Sequence, residues 1–149
     1  MANVLIVVSR FNDLITKSLL DAAKTELLSQ GITEDKIEVL WTPGAFEIPG
    51  LAAKALSHTT YESVICLGAV IKGETPHFDY ICSAVSSSLS RLSVESKCPV
   101  IFGILTTDTV EQAMNRAGLK HGNKGSEAAR AALEMMRTYK KFDNQGRNF

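Results

Sequence analysis

Four short apolar runs, at residues 4–8, 37–41, 63–67 and 100–105, punctuate this chain of 149 residues, and amphipathic stretches separate them. The first, Val4-Leu5-Ile6-Val7-Val8, is continuous and mostly β-branched, the signature of a strand covered on both faces. Between the runs, Ile15, Leu19, Leu20, Ala23 and Leu27 form one helical stripe, closed by Gly31. Ile81, Val85, Leu89 and Leu92 form another, closed near Cys98-Pro99. Pro49 opens a shorter helix reaching about His58, and Asp108 or Thr109 can cap a short helix ending at Gly118. Gly125-Ser126 leads into a last helix with Ala129, Ala132, Leu133 and Met136 on one face, and the tail, about residues 141–149, is expected to fray. Strand and helix thus alternate four times. That order predicts a single α/β domain over residues 1–149: a doubly wound, four-stranded parallel sheet between two helical layers, with right-handed crossovers.

Composition narrows the function classes. Sixteen basic and 16 acidic residues balance, so the overall charge carries no nucleic-acid footprint, and any anion site must be local. The three cysteines, Cys66, Cys82 and Cys98, form neither a C-x-x-C pair nor a Cys/His metal spacing, and they read as reduced, buried thiols. No apolar stretch approaches the roughly 20 residues of a membrane-spanning helix, and Met1 leads straight into a strand instead of a signal peptide. A cytoplasmic protein is expected.

In a doubly wound sheet, ligands sit outside the carboxyl ends of the strands. The loop after the first run, Ser9-Arg10-Phe11-Asn12-Asp13, carries a ring that either stacks on a planar ligand or lids the core. It has no G-x-G-x-x-G and no cluster of hydroxyls for a flavodoxin-type phosphate cradle. A phospho-acceptor receiver domain would place paired acids here and an aspartate after the third run, yet that run ends in Gly68-Ala69.

After the second run, Gly44 and Ala45 expose backbone N–H groups. Glu47 there either accepts from ligand hydroxyls or serves a helix dipole as a first-turn acid. The third loop, within residues 68–80, is the richest: Gly73 frees the backbone for close approach, and Thr75 and His77 stand immediately before a helix N-terminus, where an anion is welcome. In the fourth run Phe102 is most economically core, and Arg116 with residues 120–125 reads by itself as solvated surface.

Arg10-Phe11-Asn12, residues 43–49 (PGAFEIP), residues 68–80 (GAVIKGETPHFDY), residues 102–108 (FGILTTD) and Gly122-Asn123-Lys124-Gly125 stand in one order along the chain. Together these blocks closely resemble the lumazine synthase family, over about residues 4–136. The resemblance implies a flavodoxin-like fold and a transferase of riboflavin biosynthesis. Such an enzyme condenses 5-amino-6-(D-ribitylamino)uracil with 3,4-dihydroxy-2-butanone 4-phosphate to give 6,7-dimethyl-8-ribityllumazine, phosphate and water. It implies no metal or other cofactor.

Carried over by position, Phe11 would stack on the pyrimidine with Asn12 beside it, and Gly44, Ala45, Phe46 and Glu47 would hold the ribityl chain. Val70, Ile71 and Lys72 would meet the heterocycle, and Phe102 and Lys124 would line the same cavity. Gly73, Glu74, Thr75 and Arg116 would take the phosphate, with His77 as the catalytic proton shuttle. The resemblance also implies a homopentamer with the site between adjacent subunits, so that Phe102, Arg116 and Lys124 come from the neighbour. A decamer or an icosahedral 60-mer, and an association with riboflavin synthase, lie within the family's range. Neither a nucleic acid nor a membrane is an expected partner.

Two departures stand out. Glu74 places a carboxylate in the phosphate turn and is expected to point outward, lending only its N–H; and the chain begins at its first strand, where many relatives carry an extra one. Rival readings are a riboflavin synthase on the same scaffold, a flavin-binding module without turnover and a purely structural shell protein.

Overall fold

The computed structural model of the protein describes residues 3–120 and 122–146. His121, in the basic run before the last helix, lies outside the described residues, as do residues 147–149 of the expected tail. Four strands, β1 (Val4–Ser9), β2 (Ile37–Thr42), β3 (Ser63–Ile71) and β4 (Val100–Thr107), form one parallel sheet in the order β2-β1-β3-β4. Five α-helices connect and cover them: α1 (Asp13–Ser29), α2 (Ile48–His58), α3 (His77–Glu95), α4 (Val110–Arg116) and α5 (Lys124–Gly146). This is the three-layer, flavodoxin-like α/β architecture expected from the alternation of elements.

The two-residue period of β1 explains the layers. Val4, Ile6 and Val8 face a core shared with Leu19, Ala23 and Leu27 of α1 and Ala129, Ala132 and Leu133 of α5. Leu5 and Val7 face the other core, with Ile48 and Ala52 of α2 and Val85 and Leu89 of α3. Every residue of β1 is buried, as a central strand covered on both sides requires. Cys66 and Cys98 are buried in the second core, whereas Cys82 is only half-buried.

Boundaries differ from the sequence expectation in ways that matter. β3 runs four residues beyond Leu67 because Gly68, Ala69, Val70 and Ile71 stay paired with Ile104, Leu105, Thr106 and Thr107 of β4. The strand end, and with it the reactive turn, therefore lies farther along than the apolar run suggests. The Thr109 hydroxyl caps α4 by accepting from the Gln112 N–H at 3.1 Å. α5 continues past Lys140 to Gly146.

Phe102 is a correction: expected in the core, it is 38% exposed. It sits on the edge strand β4, where the facing part of α3 offers Ser86, Ser90 and Ser93, side chains too small to cover a ring.

Close packing depends on two glycines. A Cβ at Gly103 would lie 2.7 Å from Leu67 Cδ2 and 2.9 Å from the Cys66 carbonyl oxygen. One at Gly125 would collide with the Leu19 carbonyl group, so the start of α5 can meet α1 only through a bare backbone. Gly50, in the first turns of α2, has nothing within 4 Å of a Cβ. Chemical denaturation should therefore give opposite signs: Gly125→Ala losing about 3 kcal/mol or more, and Gly50→Ala gaining about 0.5 kcal/mol through a stiffer unfolded chain and better helix propensity.

The buried Tyr61 hydroxyl donates to Glu38 Oε2 at 2.6 Å, joining the start of β3 to the edge strand β2. Burial, reinforced by that carboxylate, pushes the Tyr61 phenol up to about 12. Its folded value lies above its ordinary one near 10, so its contribution is whole below about pH 10 and is lost as pH rises through about 12. Stability measured between those limits should fall with pH, and Tyr61→Phe should flatten the fall. Part of the slope will persist, because burial also pushes the Cys66 thiol up to about 12.

Candidate functional site

β1 is flanked by β2 on one side and β3 on the other, so the chain leaves its carboxyl end toward one neighbour and later returns to the other. Such a switch point opens a crevice between diverging loops. Backbone bonds hold the loops in place: Arg10 N–H donates to the Thr42 carbonyl at 2.8 Å and Phe11 N–H to the Pro43 carbonyl at 3.0 Å. The Asn12 side-chain amide donates to the Ala69 carbonyl at 3.1 Å. Between them lies a cleft of about 340 Å³.

Phe11, Phe46 and Phe78 are its aromatic walls. Phe11 is 72% exposed and Phe46 58%, so Phe11 is no lid on the core of this chain. Two uncovered rings facing one crevice are what a ligand site presents and what an isolated fold gains nothing from.

The floor is the end of β3. Ala69, Val70 and Ile71 all line the cleft, where β3 outruns β1, whose pairing stops at Val8↔Leu67. Successive residues of a strand aim their backbone groups to alternate sides. Lys72 N–H points to β4, donating to the Thr107 carbonyl at 2.9 Å, whereas the Ala69 carbonyl points the other way, to Asn12. By this parity Ile71 turns its N–H and C=O toward the side that β1 has vacated, and Val70 turns its own toward β4.

One rim is the turn after β2, where Gly44 and Ala45 also line the cleft. Gly44 differs from expectation, since its N–H is not free: it donates to Glu47 Oε1 at 3.0 Å. Glu47 thus supplies the N3 half of a capping box, while its own N–H donates to the Gly44 carbonyl at 3.3 Å; it is exposed outside the cleft lining, with one carboxylate oxygen so engaged. As first residues of the 3-10 turn Ala45–Glu47, Ala45 and Phe46 have no acceptor for their N–H groups within it.

The opposite rim is the turn into α3, with Gly73, Thr75 and His77 around the opening. Thr75 Oγ1 accepts from His77 N–H at 3.4 Å, leaving the hydroxyl proton for another partner. The 19 residues of α3 direct their N-terminal dipole into this corner. Gly73 is crowded by nothing, so what it offers is an open backbone surface. Lys72 and Glu74 are exposed and lie outside the cleft lining.

The structure therefore gathers Phe11, Gly44, Ala45, Phe46, Val70, Ile71, Gly73, Thr75 and His77 into one cleft. It does not gather Phe102, Arg116 or Lys124. Phe102 lies on the edge strand, Arg116 is exposed at the end of α4, and Lys124 begins α5 half-buried. Phe78 and Ile81 also line the cleft and were not singled out as site residues. The available signal was spacing along α3: Ile81 lies four positions beyond His77 and three beyond Phe78, and residues so spaced share a helix face. Among the described residues, no group of three or more His, Cys, Asp and Glu side chains could hold a metal ion, and no helix is long and apolar enough to cross a membrane.

All of these loops fall within residues 1–140, the stretch matched by a family model described as 6,7-dimethyl-8-ribityllumazine synthase, and the chain belongs to that enzyme family of riboflavin biosynthesis.

Proposed function

We propose that the protein condenses 5-amino-6-(D-ribitylamino)uracil with 3,4-dihydroxy-2-butanone 4-phosphate, releasing phosphate and water and forming 6,7-dimethyl-8-ribityllumazine. The observation that carries this reading is the convergence, in one cleft, of an uncovered ring, an unpaired strand edge and a long helix's N-terminus. Phe11 stacks on the pyrimidine, and the Ile71 N–H and C=O read its polar edge, with Val70 and Lys72 beside them. The ribityl chain lies along Gly44, Ala45 and Phe46, its hydroxyls reaching the Ala45 and Phe46 N–H groups and the free oxygen of Glu47. Gly73, Glu74 and Thr75 take the phosphate at the start of α3, with the Glu74 carboxylate turned outward.

Alignment of two polyfunctional molecules supplies much of the acceleration, because each bond-forming step then becomes intramolecular in effect. The amine attacks the ketone and water leaves; a carbon-bound proton is removed as phosphate departs; the second amine closes the ring with loss of another water. His77, at the rim beside Thr75, takes and returns these protons. Arg116 of an adjacent subunit stabilises the leaving phosphate by charge-assisted hydrogen bonds, and Phe102 and Lys124 of that subunit complete the cavity. The exposed positions of Phe102 and Arg116, away from this chain's own cleft, support such a shared site; a pentamer is the proposed minimal active unit.

Supplied with both substrates, purified protein should produce lumazine absorbance and phosphate above the uncatalysed rate; no excess rate would overturn the reading. His77→Ala should lower kcat by about 10²–10⁴ without abolishing turnover. Phe11→Ala should raise the KM for the pyrimidine while unfolding free energy stays within about 0.5 kcal/mol of wild type, as befits an exposed ring. A Phe11→Ala protein that lost stability and kept its KM would instead mark the ring as structural.

A further inference from the structure

Asn12 breaks two local rules at once. It is the N-cap of α1, a position that ordinarily has extended backbone and a side chain accepting from the first helical turn. Here its backbone is left-handed, φ 64 and ψ 48, the one positive φ outside glycine among the described residues. Its side chain makes no cap bond. Instead the Asn12 carbonyl accepts from Ile15 and Thr16 N–H, both at 3.0 Å, and the carboxamide reaches across the switch point to the Ala69 carbonyl, 57 positions along the chain. A strained conformation whose side chain is diverted from its own helix persists where neighbouring structure over-determines it, and such outliers cluster at functional sites.

The bond's place gives it a purpose. Ala69 carries the acceptor at the start of the β3 edge that β1 has vacated, and the next residue with that orientation is Ile71. Phe11 directly precedes Asn12, with its own N–H bound to Pro43 at 3.0 Å. The carboxamide thus spans the gap between the ring and the strand edge. Among the described residues, the other contacts from the first loop to a neighbouring strand, the Arg10 and Phe11 N–H bonds and the Arg10 guanidinium over Trp41, all run to the β2 side.

We propose that Asn12 is a positioning residue: its carboxamide bond to Ala69 fixes the spacing between the Phe11 ring and the open edge of β3, and so sets affinity for the flat heterocycle. Among the described residues, Asn12 makes no hydrogen bond to the phosphate corner at residues 73–77. This inference rests on the reading of the cleft given above.

Two variants test it. Asn12→Gly keeps the left-handed backbone without strain and removes the tether. Asn12→Asp keeps the shape and tolerates that backbone, but replaces the donor by a carboxylate facing a carbonyl oxygen. Loss of one hydrogen bond should raise the KM for the pyrimidine by about tenfold in Asn12→Gly and further in Asn12→Asp. The KM for the butanone phosphate should stay within about twofold. In both variants the Phe11 amide should exchange its hydrogen faster, by about tenfold, while the Leu27 amide in the core of α1 exchanges as in wild type. Wild-type affinity in Asn12→Asp would mean that the carboxamide oxygen touches the ligand directly and would overturn the proposal. An equal rise in both KM values, or unchanged exchange at Phe11, would overturn it too. If the wild-type protein turned over neither substrate, the functional reading would fall, and the exchange measurement would still decide whether the tether holds the loop.

Discussion

The site depends on one mismatch in strand length. β1 stops at Ser9 while β3, paired with β4, runs on to Ile71, so the central region of the sheet ends in a step. Unpaired strand edges ordinarily invite aggregation or a partner strand. Here the step is enclosed by loops on both sides, and its open backbone groups face a cleft instead of bulk solvent. Everything proposed for the heterocycle follows from that step: a flat, polar-edged molecule can take the place of the missing strand residues, with a ring available to cover its face.

The scaffold that holds this step is stiff. β1 is wholly buried, α5 seats on α1 through the bare backbone of Gly125, and Gly103 admits the side chain of Leu67. Rigid elements position the ends of β1, β2 and β3 to within the reach of single hydrogen bonds, and loop residues then carry the chemistry. Asn12 is where the two meet. A left-handed N-cap that spends its carboxamide on another strand gives up local helix stabilisation in return for fixed loop spacing.

Much of this was legible in the order of residues. The stripe Ile15, Leu19, Ala23, Leu27 and the alternation of elements yielded the layers, and the layers pointed to the loops that line the cleft. What escaped reading depends on partners distant along the chain. Gly68-Ala69 resembles the end of a strand, and only pairing with β4 carries it to Ile71. Phe102 looks like core until the small serines of α3 are found opposite it. The engagement of Gly44 by Glu47 obeys a local capping pattern and could have been anticipated, whereas no local pattern announces a bond from Asn12 to Ala69. Arg116 and Lys124 carry no site signal of their own; they entered with the family resemblance, and their placement away from the cleft agrees with a role on a neighbouring subunit.

That division of labour is the central claim: one chain supplies the cleft and His77, and another supplies Arg116. The most direct measurement mixes two defective chains, His77→Ala and Arg116→Ala, unfolded and reassembled together in equal amounts. If the site spans a head-to-tail interface, about a quarter of the interfaces join an intact His77 to an intact Arg116, and activity should rise toward that fraction of wild type. If activity stays at the average of the two variants assembled separately, each chain carries its whole site and the shared-site account is contradicted.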